Sequence, residues 1–193
     1  MSDIKSVFRV SIFDSLRLPE RIQEECLGYI ENQLICKNIM AYAKKKNIPV
    51  SVDCQISSQT RDLKKYLGAK LVTPTEVEAR SALKDFDCGI AYLGGKLREE
   101  LEAEHLILKL GTNGALIFTE LDGLVRVENI PALAIEKVVD TSGAGDSMMA
   151  VATLTLAASN SIFMAVYLGS LAAGLQLTHR GNTPLSKNFW LDG

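Results

Sequence analysis

The chain has 193 residues, 47% of them hydrophobic and 23% charged, and its 21 basic and 23 acidic side chains leave a net charge of −2. That length predicts one domain with a core of its own. The composition excludes a disordered, collagen-like or low-complexity chain, and the near-neutral balance supplies no long-range field for nucleic acid or acidic membranes. Cys26, Cys36, Cys54 and Cys88 form no CxxC, and His105 and His179 are the only histidines, so no zinc spacing can be assembled. Reduced thiols are expected. Met1-Ser2-Asp3-Ile4-Lys5 is not a basic segment leading into an apolar one, so no signal peptide is expected. The most apolar stretch, residues 147–158, is too short to cross a bilayer. The composition points to a soluble, cytoplasmic protein.

In chain order, Val7, Phe8, Val10, Ile12 and Phe13 can form a strand, and Pro19-Glu20-Arg21-Ile22 can open a helix. Ile30, Leu34, Ile35, Ile39, Met40 and Ala43 then recur at helical spacing. Lys44-Lys45-Lys46 closes that helix, where cations suit the dipole. Residues 48–53 read as a short buried strand ending in Asp53, residues 59–67 as helical, and residues 69–73 as a second strand. Pro74 is expected in the first turn of a helix through Glu78 and Ala82. A charged helix over residues 96–104 precedes a strand over residues 105–110. Thr112-Asn113-Gly114 and Leu121-Asp122-Gly123 are hairpin signals around a strand at residues 115–119. After Asp140 the pattern turns helical twice, to about Leu177. This order predicts an α/β fold, a mostly parallel sheet with helices on both faces.

The stretch richest in chemistry is Val138-Val139-Asp140-Thr141-Ser142-Gly143-Ala144-Gly145-Asp146-Ser147. A strand-like run enters a small-residue loop and an apolar helix leaves it. Without Cβ atoms, Gly143 and Gly145 let a phosphate approach the backbone closely. The free N–H groups of the helix start form an anion site. Asp146 would sit in the first turn, facing that anion. A carboxylate there repels phosphate unless it has a task, and taking a proton from an attacking hydroxyl is such a task. Asp and Gly are also ordinary cap and turn residues before a helix. The loop is neither a P-loop, lacking Lys-Ser/Thr after the glycines, nor a Rossmann GxGxxG.

Asp140-Thr141-Ser142-Gly143-Ala144-Gly145-Asp146 resembles the DTxGAGD signature of the PfkB (ribokinase-like) carbohydrate kinases. Other segments resemble that family in the same order. They are Asp53 at its strand end, residues 71–79 (its TPN-x-x-E-A segment), residues 108–115 (its glycine hairpin), and Ala172-Ala173-Gly174 with Gly181-Asn182-Thr183-Pro184 (its nucleotide-end helix and loop). The resemblance implies a ribokinase-like fold over residues 30–193. It also implies ATP-dependent phosphorylation of a hydroxyl on a sugar or sugar phosphate. Asp146 would be the general base, with Gly143, Ala144 and Gly145 as anion hole. Lys109, Gly111, Gly114 and Asn182 would line the nucleotide, and Glu78 would hold Mg²⁺ through waters. Asp140 and the Ser142 backbone lie where many members bind a monovalent cation such as K⁺.

Thr75 departs from the family's Asn, which implies a rewired magnesium network. Such kinases are usually half as long again. The resemblance therefore implies an N-terminally truncated chain, lacking most residues that hold the sugar. Residues 1–29 faintly resemble a lid remnant of the heptose-phosphate kinase branch, in Phe8-Arg9-Val10 and Leu16-Arg17-Leu18-Pro19-Glu20. The partners implied are nucleotide and sugar, with a homo-oligomer or a complementary N-terminal half. The alternative is a catalytically degenerate module that binds nucleotide or a partner. A pyridoxal-kinase-like reading is disfavoured, because those loops usually carry GTGD.

Overall fold

The computed structural model describes residues 8–9, 33–53, 63–133 and 138–181. Six strands form one sheet in sequence order. They are β1 (Phe8–Arg9), β2 (Val50–Val52), β3 (Leu71–Val72), β4 (His105–Lys109), β5 (Ala115–Leu121) and β6 (Leu124–Ile130). The first four pair parallel, and β4–β5–β6 pair antiparallel. Five helices are described: α1 (Gln33–Lys46), α2 (Glu76–Leu83), α3 (Ile90–Glu100), α4 (Ala144–Ser159) and α5 (Ile162–Leu177).

The alternation of strand side chains divides the core into two layers. Val50, Val52, Val72, Leu106, Leu108 and Phe118 point to the face covered by α1, α2 and α3, where Cys36, Ala43, Ala79, Leu93 and Leu97 meet them. Leu71, Ile107, Ala115 and Ile117 point to the other face. There they pack on Met148, Ala152 and Leu156 of α4 and on Ile162, Ala165 and Val166 of α5. Burial from both sides is why His105-Leu106-Ile107-Leu108 is buried without a break. The expected sheet with helices on both faces is therefore present.

Several boundaries differ from expectation. Pro74 lies one residue before the N-cap, because Thr75 takes the cap and starts α2. The helix expected at residues 96–104 runs over Ile90–Glu100 instead, since the chain needs Leu101 to Glu104 to turn back into β4. Of residues 59–67, the described part holds one 3-10 turn, Leu63–Tyr66. Val138, Val139 and Asp140 form no strand. The N–H groups of Val139 and Asp140 instead bond the terminal Leu177 carbonyl of α5, at 2.8 and 3.3 Å. The Asp122-Gly123 hairpin stands between β5 and β6 as expected, with both residues at positive φ. Neither Cys36, which is buried, nor Cys88, which is half-buried, is in a disulfide. The helix expected at residues 19–22, Asn182, Cys26 and Cys54 lie outside the described residues, as does most of the strand expected around residues 7–13.

Candidate active site

The site lies at the carboxyl ends of the parallel strands, where open α/β sheets bind their ligands. Asp53 follows β2, Thr73 follows β3 and Lys109 ends β4. Lys109 Nζ stands 2.8 Å from Asp53 Oδ1, and the Thr73 hydroxyl donates to the same oxygen at 2.9 Å. The pair is largely buried, with side-chain exposures of 16% and 7%. A methyl at Gly145 would fall 3.3 Å from Lys109 Nζ and 3.8 Å from Asp53 Oδ2. The first turn of α4 therefore lies directly against the ion pair, and a Cβ there would crowd it.

Gly143 caps α4 at φ 78°, a left-handed conformation that glycine adopts without a Cβ penalty. No side chain caps this helix. Of its leading N–H groups, that of Ala144 reaches Thr141 O at 3.4 Å and that of Ser147 bonds Gly143 O at 2.9 Å; a helix start of this kind is a place where anions bind. Asp146 occupies the first turn, as its place in the sequence predicts.

The approach to the helix is fastened from both sides. Asp140 Oδ1 accepts from Ser142 N–H at 2.9 Å, and Oδ2 accepts from Gly181 N–H at 2.8 Å. These bonds, chiefly that from Ser142, lower the carboxyl from 3.8 to about 2. Gln176, fully buried on α5, donates its Nε2 to Gly181 O at 2.7 Å and to Ser142 O at 3.4 Å. Its Oε1 is buried with no hydrogen-bond partner among the described residues. Sequence reasoning missed Gln176. The available signal was a lone amide in a helix otherwise made of apolar and small residues, Ile162–Leu177.

Other expected residues are placed more plainly. Glu78 forms a capping box with Thr75: Oε2 accepts from Thr75 N–H at 2.6 Å, and Thr75 Oγ1 accepts from Glu78 N–H at 3.3 Å. One oxygen of Glu78 is thus spent on the helix end, and the Thr that departs from the family's Asn serves as the cap. The cap adjoins Lys109, whose N–H donates to Pro74 O at 2.8 Å. Gly111 opens the 3-10 turn between β4 and β5 and Gly114 follows it, both at positive φ. A Cβ at Gly114 would strike the Ile130 carbonyl, so the turn itself demands that glycine. Among the described residues, no three His, Cys, Asp or Glu side chains converge as metal ligands.

Comparison with known proteins gives the family and the fold. Residues 32–188 match the pfkB family carbohydrate kinase model. The chain is 37% identical over 159 residues to the bifunctional protein HldE of Campylobacter jejuni (strain RM1221), covering 79% of this chain and 32% of that protein. It is 36% identical over 146 residues to HldE of Hahella chejuensis, covering 75% and 29%. Phosphofructokinase-2 from Escherichia coli in complex with potassium superposes with a TM-score of 0.67 at 22% identity, over 78% of this chain and 48% of that one. Arabidopsis thaliana ribokinase complexed with ribose and ATP gives 0.67 at 22%, over 77% and 47%. The chain thus spans about a third of these curated relatives and about half of these solved structures. The fold is ribokinase-like, and the chain belongs to the pfkB family of carbohydrate kinases.

Proposed function

We propose that this chain carries the nucleotide-binding and catalytic half of an ATP-dependent kinase that phosphorylates a hydroxyl of a sugar or sugar phosphate. The observation that carries the reading is Asp146 in the first turn of a helix that begins on a left-handed glycine and lies against a lysine. The phosphates would rest on the leading N–H groups of α4, where the dipole favours negative charge. Lys109 would approach them from the end of β4. Asp146 would accept the proton of the attacking hydroxyl, and the 143–145 backbone would stabilise charge developing on the transferred group.

The residues fit a magnesium ion that arrives with the nucleotide better than one held in a protein cage. Magnesium keeps several waters and needs only one or two carboxylates beside the phosphates. Glu78 would hold it through water with the oxygen that the cap leaves over. Bound there, the ion would neutralise phosphate charge; the helix start, Lys109 and Asp146 bind, orient and move the proton.

The commitment of Glu78 to its cap and of Lys109 to Asp53 favours a second reading, a module that binds nucleotide without transfer. ATP titration followed by amide NMR, together with turnover on candidate sugars, separates the readings. Shifts centred on residues 142–147 with turnover support the kinase. The same shifts without turnover support the module, and shifts confined to another surface reject both.

A further inference from the structure

Two backbone carbonyls beside the anion loop converge on one point, and a side-chain nitrogen already occupies it. Gln176 Nε2 lies 2.7 Å from Gly181 O and 3.4 Å from Ser142 O. The N–H groups of the same two residues both donate to Asp140. Asp140 and Gln176 therefore clamp one pair of peptide segments, the carboxylate taking their N–H groups and the amide serving their carbonyls. An alkali ion at this place would need those carbonyl oxygens, since hard cations bind through oxygen. The Gln176 amide excludes it by giving the same oxygens two N–H donors.

We infer that Gln176 is a positioning residue that stands in for a monovalent cation, so that the 140–146 loop is held without one. The two carbonyls fix which way the amide faces, since both accept from Nε2, and Oε1 is left without a partner among the described residues. Turning it over would set Oε1 against two carbonyl oxygens, an arrangement tolerable only with a cation between them. The burial of Gln176 keeps water from supplying an alternative bridge. The expectation of a potassium site at Asp140 and Ser142 is thereby replaced, in this chain, by an internal clamp. The clamp's effect on nucleotide binding rests on the proposed kinase reading; its effect on stability does not.

The test compares the 193-residue chain in potassium, sodium and choline chloride at equal ionic strength. A ligand that binds only the native state must raise Tm. Without nucleotide, Tm is expected to be the same in all three salts. A rise specific to potassium overturns the inference, whether or not ATP binds. With ATP, affinity is expected to differ by less than about twofold between potassium and choline, while Gln176→Ala loses about tenfold in choline and recovers in potassium. A folded Gln176→Ala that binds ATP like the parent in choline also overturns it. If that variant does not fold, the parent's response to potassium decides alone.

Discussion

Asp146 lies in the first turn of α4, and if the phosphates bind there as proposed, its carboxylate must either repel them or serve the reaction. Asp146→Asn should therefore lower turnover by about 10²–10⁴-fold, the usual contribution of a positioned base. ATP affinity should hold or rise, because a negative charge beside the phosphates is removed; calorimetry beside a coupled assay reads both. Lys109 and Asp53 form a pair in which each neutralises the other in a nearly closed space. Removing one partner of a buried pair costs about 3–5 kcal/mol, much of it from the charge left behind. Lys109→Met should therefore destabilise in urea more than the double variant with Asp53→Asn, and both should bind ATP more weakly than the parent. Asp140 has a folded pKa of about 2 against 3.8, so its stabilising contribution is present above about pH 4 and is lost as pH falls toward 2. Between pH 4 and 2 the parent's Tm should fall more steeply than that of Asp140→Asn.

The elements that carry the site depend on close packing behind it. Gly169 of α5 faces α4, and a Cβ there would lie 2.9 Å from Met148 O and 3.2 Å from Ala152 Cβ. Neither obstacle is the free end of a flexible side chain, so the helices must part. Gly169→Ala should cost about 1–3 kcal/mol in urea denaturation, the range for overpacking. ATP binding should weaken with it, because the residue that clamps the loop, Gln176, lies two turns further along the same helix. The boundaries of these helices were nearly legible: Gly143 before α4, Asn160 and Ser161 between the two, and an apolar run on each side. Helix α3 starts at Ile90, ahead of the charged stretch at residues 96–104 where a helix is expected, because its core face begins at Leu93 and continues to Leu97. Charge marks the solvated side of a helix and says little about where the helix begins.

Across the whole molecule the sheet is closed unevenly. Parallel strands β2 to β4 are buried on both faces, whereas β6 is exposed over nearly its whole length. Val125 and Val127 are 57% and 43% exposed on an edge strand, a template for pairing with another chain. Val127→Lys should lower light scattering in concentrated solution while leaving Tm close to the parent's. No helix among the described residues is long and apolar enough to cross a membrane.

The sequence by itself determined most of the order of helices and strands, β6 excepted, and the place of the small-residue loop before α4. Periodicity, capping and glycine spacing are local, and a signature such as Asp140 to Asp146 is contiguous. It could not determine partners that meet across long separations. Asp53 and Lys109 are 56 positions apart, and Asp140 and Gly181 are 41 apart, so only the placing of β2 and β4 on either side of β3 and the return of α5 bring them together. The tertiary structure likewise turned the 138–140 run from a strand into a strap, with Val139 and Asp140 N–H on the terminal Leu177 carbonyl of α5, a group that no later helical N–H can serve. Most of all it decided the meaning of Gln176. In the sequence that residue is one amide in an apolar helix; in the fold it is the group that holds the loop.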